Sequence, residues 1–169
     1  DVINDWIWLK KGKEFTWLSD KDGWRHFYRV GADGSGEKLV TRGEYDVVSI
    51  EEIDVEGGYV YFIASPENPT QRYLYRVPMK GSNKPERLSP VAEPGTHSYQ
   101  ISPGGEFAFH TYSTANQPPI IDLVCLPNHE SIRPLAENKK LQENFAAVAK
   151  QPVEFFEVTT EDNVEMQGY

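Results

Sequence analysis

The fold is decided by the stretch Gly57-Gly58-Tyr59-Val60-Tyr61-Phe62-Ile63-Ala64-Ser65. A glycine turn opens it, and six residues rich in β-branched and aromatic side chains follow, a composition that is typical of a β-strand. The same order of glycine, strand-like run and serine ends at Ser19, about 46 residues earlier, and at Ser113, about 48 residues later. The sequence therefore contains one structural unit three times.

Further strand-like runs recur in the same order within each unit. They lie at residues 26–30, 73–77 and 120–126 and, as a shorter set, at residues 38–41, 86–89 and 133–136. Two longer segments, 44–55 and 95–101, supply the strand that links one unit to the next. Four strands in roughly 45 residues are typical of a β-propeller blade, which buries its faces by stacking on its neighbours. A β-sandwich of hairpin strands is the alternative, but sandwiches do not repeat in this way.

The sequence thus predicts an all-β fold in three parts. About three four-stranded antiparallel blades of a partial β-propeller occupy residues 1–137, a short helix and linker residues 138–152, and a terminal β-hairpin residues 153–169. Leu141, Phe145 and Val148 indicate the helix, because their spacings put them on one helical face. Gln151-Pro152 should end it, since the residue before a proline disfavours helix.

Three blades do not close a ring, because propellers have typically 4–8 blades. We expect the chain either to assemble with copies of itself or to be part of a longer protein. The second explanation is favoured by the start at Asp1, without a methionine, and by the strand-like pattern that runs up to Tyr169.

The charge balance limits the classes of partner. Lys and Arg number 17 and Asp and Glu 26, which gives a net charge of −9, so a polyanion such as DNA would be repelled. No apolar run approaches the roughly 18 residues that a membrane span requires, and no signal peptide is visible. The single cysteine, Cys125, excludes an internal disulfide.

Candidate sites of several kinds are incomplete. His129-Glu130 would begin a zinc motif, but Arg133 stands where the second histidine belongs, so we expect the histidines at the surface or in turns. Asp20-Lys21-Asp22-Gly23 begins like a calcium loop, lacks the later ligands and indicates a tight turn between strands. No helix follows the glycines of residues 32–36, which are predicted as a hairpin loop rather than a phosphate cradle.

The remaining candidate residues are predicted to pack in the protein interior rather than to react or to bind a ligand. Cys125 lies in an apolar run and is expected to be a buried structural thiol. The aromatic pairs Phe27/Tyr28 and Tyr73/Tyr75 are expected to pack between successive blades rather than to bind a ligand. The sequence accordingly predicts no catalytic residue, no metal ligand and no cofactor-binding residue within the chain, and no cofactor.

Four segments resemble the prolyl oligopeptidase-type serine peptidases, and among them the dipeptidyl peptidase IV family. The run from Glu154 to Tyr169 is similar to the first hairpin of their hydrolase domain. Residues 18–28, which contain Ser19-Asp20-Lys21-Asp22-Gly23, resemble a segment of their propeller, and residues 38–48 and 59–77 resemble the segments that follow it. The resemblance covers essentially the whole chain.

The resemblance implies an eight-bladed propeller that caps an α/β-hydrolase domain, in a protein that removes dipeptides from peptide N-termini, preferably after proline. The catalytic serine would lie in a Gly-x-Ser-x-Gly elbow beyond the terminal hairpin, and this sequence contains no such elbow. No catalytic residue is therefore carried over, and the chain by itself is expected to be inactive.

The resemblance also implies partners and a location. The partners are peptide substrates, the rest of the propeller, the hydrolase domain and a second copy of the protein in a homodimer; the location is the periplasm or the extracellular space. A non-catalytic repeat module that binds a protein or a glycan through its aromatic rim is the alternative reading of the same sequence.

Overall fold

The computed structural model describes residues 6–81, 84–148, 151 and 153–169. Within them the chain is almost entirely β-structure, with one short 3-10 helix and one α-helix. The elements are β1 (Trp8–Leu9), the 3-10 helix (Lys10–Gly12), β2 (Glu14–Ser19), β3 (His26–Gly31), β4 (Lys38–Leu39), β5 (Val47–Asp54), β6 (Tyr59–Ala64), β7 (Tyr73–Pro78), β8 (Glu86–Arg87), β9 (Thr96–Ile101), β10 (Phe107–Thr114), β11 (Gln117–Cys125), β12 (Glu130–Ala136), α1 (Lys139–Ala147), β13 (Phe156–Thr159) and β14 (Glu165–Gly168).

The strands form three four-stranded antiparallel sheets and one hairpin. The first sheet is β1-β2-β3-β4, the second β5-β6-β7-β8 and the third β9-β10-β11-β12, each in sequence order, and β13 pairs with β14. The three repeated runs that each follow a glycine turn are β2, β6 and β10, and each lies in a different sheet. This arrangement confirms the prediction of a partial propeller with about three blades, a short helix and a terminal hairpin.

Tight turns join the strands within each sheet. Between β2 and β3 the Gly23 N–H donates to the Asp20 carbonyl over 3.0 Å, and Gly23 has a φ of +99°, a conformation that only glycine adopts readily. Between β9 and β10 Gly105 has a φ of +72°, and a Cβ there would approach Tyr61 Oη within 2.5 Å. The predicted turn at residues 20–23 is therefore confirmed, and Gly105 permits close contact between the second and third sheets.

Successive side chains of β6 point to opposite faces of the second sheet and belong to two different cores. Val60, Phe62 and Ala64 belong to the core shared with the first sheet, whereas Tyr61 and Ile63 belong to the core shared with the third. The Phe62 ring lies between those of Tyr45, 6.3 Å away, and Tyr75, 5.9 Å away. The second sheet is thus covered on both faces.

Three of the four aromatic side chains predicted to pack between blades do so. Phe27, Tyr73 and Tyr75 belong to the core between the first and second sheets. Tyr28 is buried on the opposite face of the first sheet, where the Lys21 ammonium lies 4.4 Å from its ring centroid. Neighbouring strand residues point to opposite faces, so a Phe27/Tyr28 pair cannot share one core.

Two other predictions need correction. Cys125 is only partly buried, because it points away from the second sheet while its neighbour Val124 fills the core. The terminal hairpin begins at Phe156 and not at residue 153. The predicted helix residues Ala149 and Lys150 lie outside the described part of the chain, as does Pro152. The described helix is too short to cross a membrane.

We expect Phe62→Ala to lower the free energy of unfolding by about 3–5 kcal/mol, because the ring is fully buried and a cavity would remain between two sheets. The measurement is urea unfolding followed by tryptophan fluorescence. Phe156→Ala is the matched control, since Phe156 is 57% exposed, and should cost about 0.5 kcal/mol or less. Equal effects of the two substitutions would contradict the assignment of Phe62 to the central core.

Candidate functional site

Ionisable side chains gather on the face of the third sheet that packs against the second. We define the histidine cluster as His97, Tyr99, His110, Asp122 and His129. His97 and Tyr99 alternate on β9, and the register pairs His110 of β10 with Tyr99 on one side and with Asp122 of β11 on the other. His129 enters from the β11–β12 turn. Period-two alternation and antiparallel pairing therefore bring distant residues onto one patch of the sheet.

Short hydrogen bonds connect the cluster in two lines. In the first, His97 Nε2 lies 2.8 Å from the Glu93 carbonyl, His97 Nδ1 lies 2.9 Å from His110 Nε2, and His110 Nδ1 lies 2.9 Å from Asp122 Oδ1. In the second, Tyr99 Oη lies 2.8 Å from His129 Nε2. The rings are also close, with centroids of His110 and Tyr99 4.7 Å apart.

The prediction of surface or turn histidines is wrong for three of the four. His26, His97 and His110 are at most 3% exposed, and only His129 lies in a turn. His26 has its own partners in the first sheet, the Gly43 carbonyl at 3.0 Å and Thr41 Oγ1 at 3.3 Å. Polar side chains are buried here because other protein groups replace the hydrogen bonds to water.

Burial controls the ionisation of the cluster. It lowers the pKa of His97 and of His129. At His110, burial and the charge of a protonated His129 act to lower the pKa, whereas the hydrogen bond to the Asp122 carboxylate and its negative charge act to raise it. Burial likewise raises the pKa of the Tyr99 phenol. In each case removal of water disfavours the charged form.

The geometry of the cluster does not form a nucleophile with its base. Ser89 Oγ accepts from the Leu74 N–H and lies 3.3 Å from Tyr99 Oη rather than next to a histidine. A serine nucleophile requires a base within hydrogen-bond reach, which no histidine supplies here. Among the described residues no group of three or more His, Cys, Asp and Glu side chains is arranged to hold a metal ion. Among the described residues the cluster therefore lacks the paired nucleophile and base that serine hydrolysis requires.

A second candidate lies where the rims of the first and second sheets meet. A cavity of about 760 Å³ is lined there by side chains that include Trp17, Arg25 and Asp46. The Arg25 N–H donates to Asp46 Oδ1 over 2.7 Å, and its guanidinium Nη1 donates to the Val48 carbonyl over 3.3 Å. The sequence does not point to this guanidinium, because one arginine beside a turn carries no distinguishing pattern.

Half-exposed aromatic side chains cover the outer face of the first sheet. Trp8 and Phe15 have ring centroids 5.7 Å apart, and Trp6 lies 5.2 Å from Trp8. Trp17 continues the row 6.2 Å from Phe15 and is 53% exposed. Such a face is suited to stacking against another apolar surface.

Stacked four-stranded antiparallel sheets, each with its strands in sequence order, define a partial β-propeller. The family model described as the dipeptidyl peptidase IV N-terminal region matches residues 3–119. The chain belongs to this family. The crystal structure of Porphyromonas gingivalis dipeptidyl peptidase 4 superposes on 96% of the chain with a TM-score of 0.80 and 26% sequence identity.

Curated relatives agree with this assignment. A Talaromyces marneffei protein named "Probable dipeptidyl-aminopeptidase B" is 32% identical over 152 residues, which is 86% of this chain. An Aspergillus oryzae protein of the same name is 35% identical over 99 residues, which is 57% of this chain. The chain spans only 16% and 11% of these two relatives and 22% of the P. gingivalis chain.

We expect acid to destabilise the third sheet. His97 and His129 have pKa values below the ordinary value of about 6.5, so at these two groups the unfolded chain binds more protons than the folded one, and stability falls as the pH drops below about 6.5. Urea unfolding between about pH 7 and about pH 5 measures the slope. Each fully uncharged histidine adds up to about 1.4 kcal/mol per pH unit.

The control for this prediction is His129→Asn. It removes one of the two groups and should reduce the slope, whatever its effect on stability at neutral pH. The exposed carboxyl groups with lowered pKa, such as Asp33 and Asp162, titrate below this pH window and do not interfere. An identical slope in the variant and the wild type would contradict the prediction.

Proposed function

We propose that the chain supplies blades of the propeller of a dipeptidyl peptidase, and that a hydrolase domain of the same protein releases N-terminal dipeptides, preferably after proline. The observation that carries this proposal is the superposition of nearly the whole chain on P. gingivalis dipeptidyl peptidase 4, together with the family match. The chemistry is assigned to a serine nucleophile outside these residues, because a serine–histidine pair is lacking in the described part of the chain.

The terminal hairpin is proposed as the first hairpin of that hydrolase domain. An isolated two-stranded hairpin is marginally stable, so it needs a larger sheet or another surface to pack against. Phe156 and Val158 on β13 and Met166 on β14 are about half exposed, which leaves apolar area for such a partner. In this proposal residues 138–152, with helix α1, connect the propeller to the hydrolase.

The role proposed for the blades is to shape and limit access to the active site. A propeller wall can exclude large folded proteins while admitting peptides, provided that the blades remain stacked. The outer faces of the first and third sheets support further stacking, because Trp8 and Phe109 are each about half exposed there. Additional blades of the same protein would bury these side chains as Phe62 is buried here.

The proposed location is the periplasm or the extracellular space, with peptides as substrates and a homodimer as the assembly.

We predict that the chain alone hydrolyses neither a Gly-Pro nor an Ala-Pro anilide. Covalent acyl transfer requires a nucleophile, a base and an oxyanion hole within one site, and the described residues provide no such set. The measurement is chromophore release by the purified chain, with the full-length protein as the positive control. Turnover that scales with chain concentration and stops with a serine-directed inhibitor would overturn the prediction.

The coding sequence downstream of Tyr169 tests the proposed function directly. A Gly-x-Ser-x-Gly motif followed by an aspartate and a histidine would support a serine dipeptidyl peptidase. A stop codon would instead favour the repeat module that binds a protein or a glycan through the aromatic face of the first sheet.

We further predict that weaker packing between the first and second sheets changes the size of peptide that the full-length protein accepts. Val60→Ala creates a cavity between the first two sheets, because Val60 is fully buried, whereas Val55→Ala alters a residue that is 55% exposed and serves as the control. The ratio of kcat/KM for a long peptide to kcat/KM for a dipeptide anilide should rise several-fold in the first variant only. Equal ratios in both variants would argue against a gating role.

A further inference from the structure

The three hydrogen bonds that join the Glu93 carbonyl, His97, His110 and Asp122 each need one proton. The Glu93 carbonyl can only accept, so the proton of the first bond belongs to His97 Nε2. A neutral His97 then accepts at Nδ1, and the proton of the second bond belongs to His110 Nε2. A neutral His110 consequently presents a lone pair at Nδ1.

That lone pair faces an acceptor. Asp122 Oδ1 lies 2.9 Å from His110 Nδ1, a distance typical of a hydrogen bond, yet an ionised carboxylate offers only lone pairs. Two neutral imidazoles carry two protons, whereas the three bonds need three. The third proton must lie between His110 Nδ1 and Asp122 Oδ1.

We propose that His110 and Asp122 bind one shared proton at neutral pH, and that this proton holds β9, β10 and β11 together in the third sheet. A shared proton leaves neither an imidazolium nor a carboxylate without a partner in the buried cluster. The side chain of His110 is only 4% exposed and that of Asp122 is 21% exposed. If the bond between His110 Nδ1 and Asp122 Oδ1 were lost, water could therefore not readily take its place.

None of the described charged and titratable groups around the pair takes the place of the shared proton as a partner of Asp122 or of His110 Nδ1. They are Tyr73 on β7, Arg87 on β8, Glu93 in the following loop, Tyr99 on β9, Tyr112 on β10 and His129 in the β11–β12 turn. Arg87 lies 3.5 Å from the Tyr73 ring centroid and also donates to Glu67, so it does not reach Asp122 as a counter-ion. His129 contacts His110 edge to face and bonds to Tyr99 instead.

The proposal predicts an alkaline loss of stability. In the unfolded chain above about pH 7 both imidazoles are neutral and Asp122 is ionised, so the folded state binds one proton more than the unfolded state. The folding equilibrium constant should therefore fall by up to tenfold per pH unit between about pH 7 and about pH 9, until the shared proton is released. The acid effect of the histidines has the opposite sign and lies below this range.

Asp122→Asn is the decisive variant. An asparagine amide has the shape of the carboxylic acid and can donate a fixed N–H to His110 Nδ1, so all three bonds form without a titrating proton. We expect the loss of stability between about pH 7 and about pH 9 to disappear in this variant. Glu130→Gln is the control with the same charge change at an exposed residue of β12, and it should keep the alkaline loss.

The measurements are urea unfolding of wild type and both variants across this range, and nitrogen-15 NMR of the histidine rings of the wild type. A flat wild-type profile, or an alkaline loss that survives in Asp122→Asn, would overturn the proposal. If Asp122→Asn does not fold, the NMR spectra decide. A hydrogen-bonded proton at His110 Nδ1 together with an unprotonated His97 Nδ1 would support the shared proton, and a bare His110 Nδ1 would refute it.

Discussion

Burial of both faces of the second sheet is the constraint on which the rest of the structure depends. Tyr61 and Phe62 are adjacent on β6, point in opposite directions and are both at most 3% exposed, which is possible only when a sheet packs on either side. The first and third sheets satisfy this requirement. In return their own inner faces are buried, so the three sheets stabilise one another as neighbouring units of a stack.

Sequence alone predicts most of this stack, because the information for each strand is local. The run at Tyr59–Ala64 is almost continuously apolar, as a strand buried on both faces should be, whereas Glu14–Ser19 and Phe107–Thr114 alternate between buried and more exposed residues. The turns follow from Asp and Gly side chains that accept unusual backbone angles. The hairpin boundary was less predictable, since Phe155 has a strand-like side chain but lacks a partner strand in the described residues.

The histidine cluster could not be predicted in the same way. His97, His110 and His129 are separated by more than ten residues each, and only the register of β9 with β10 and of β10 with β11 brings them together. The sequence carries one signal for burial, because His97 alternates with Tyr99 as a residue on the inner face of a strand would. A histidine in such a position is more consistent with burial than with a surface or turn location, but its partners remain unknown until strand pairing is known.

A polar cluster in a place that could hold apolar side chains costs desolvation energy, yet it restricts the sheet more strictly than apolar contacts do. A slip of β10 by one residue would turn His110 to the outer face and leave His97 Nδ1 and Asp122 without their bonds, at the cost of burying unpaired groups. Tyr99 extends the restriction to the neighbouring sheet, because its Oη lies 3.3 Å from Ser89 Oγ, which accepts from the Leu74 N–H on β7. The cluster therefore fixes both the register within the third sheet and its placement on the second, which a core of interchangeable aliphatic residues would specify less precisely.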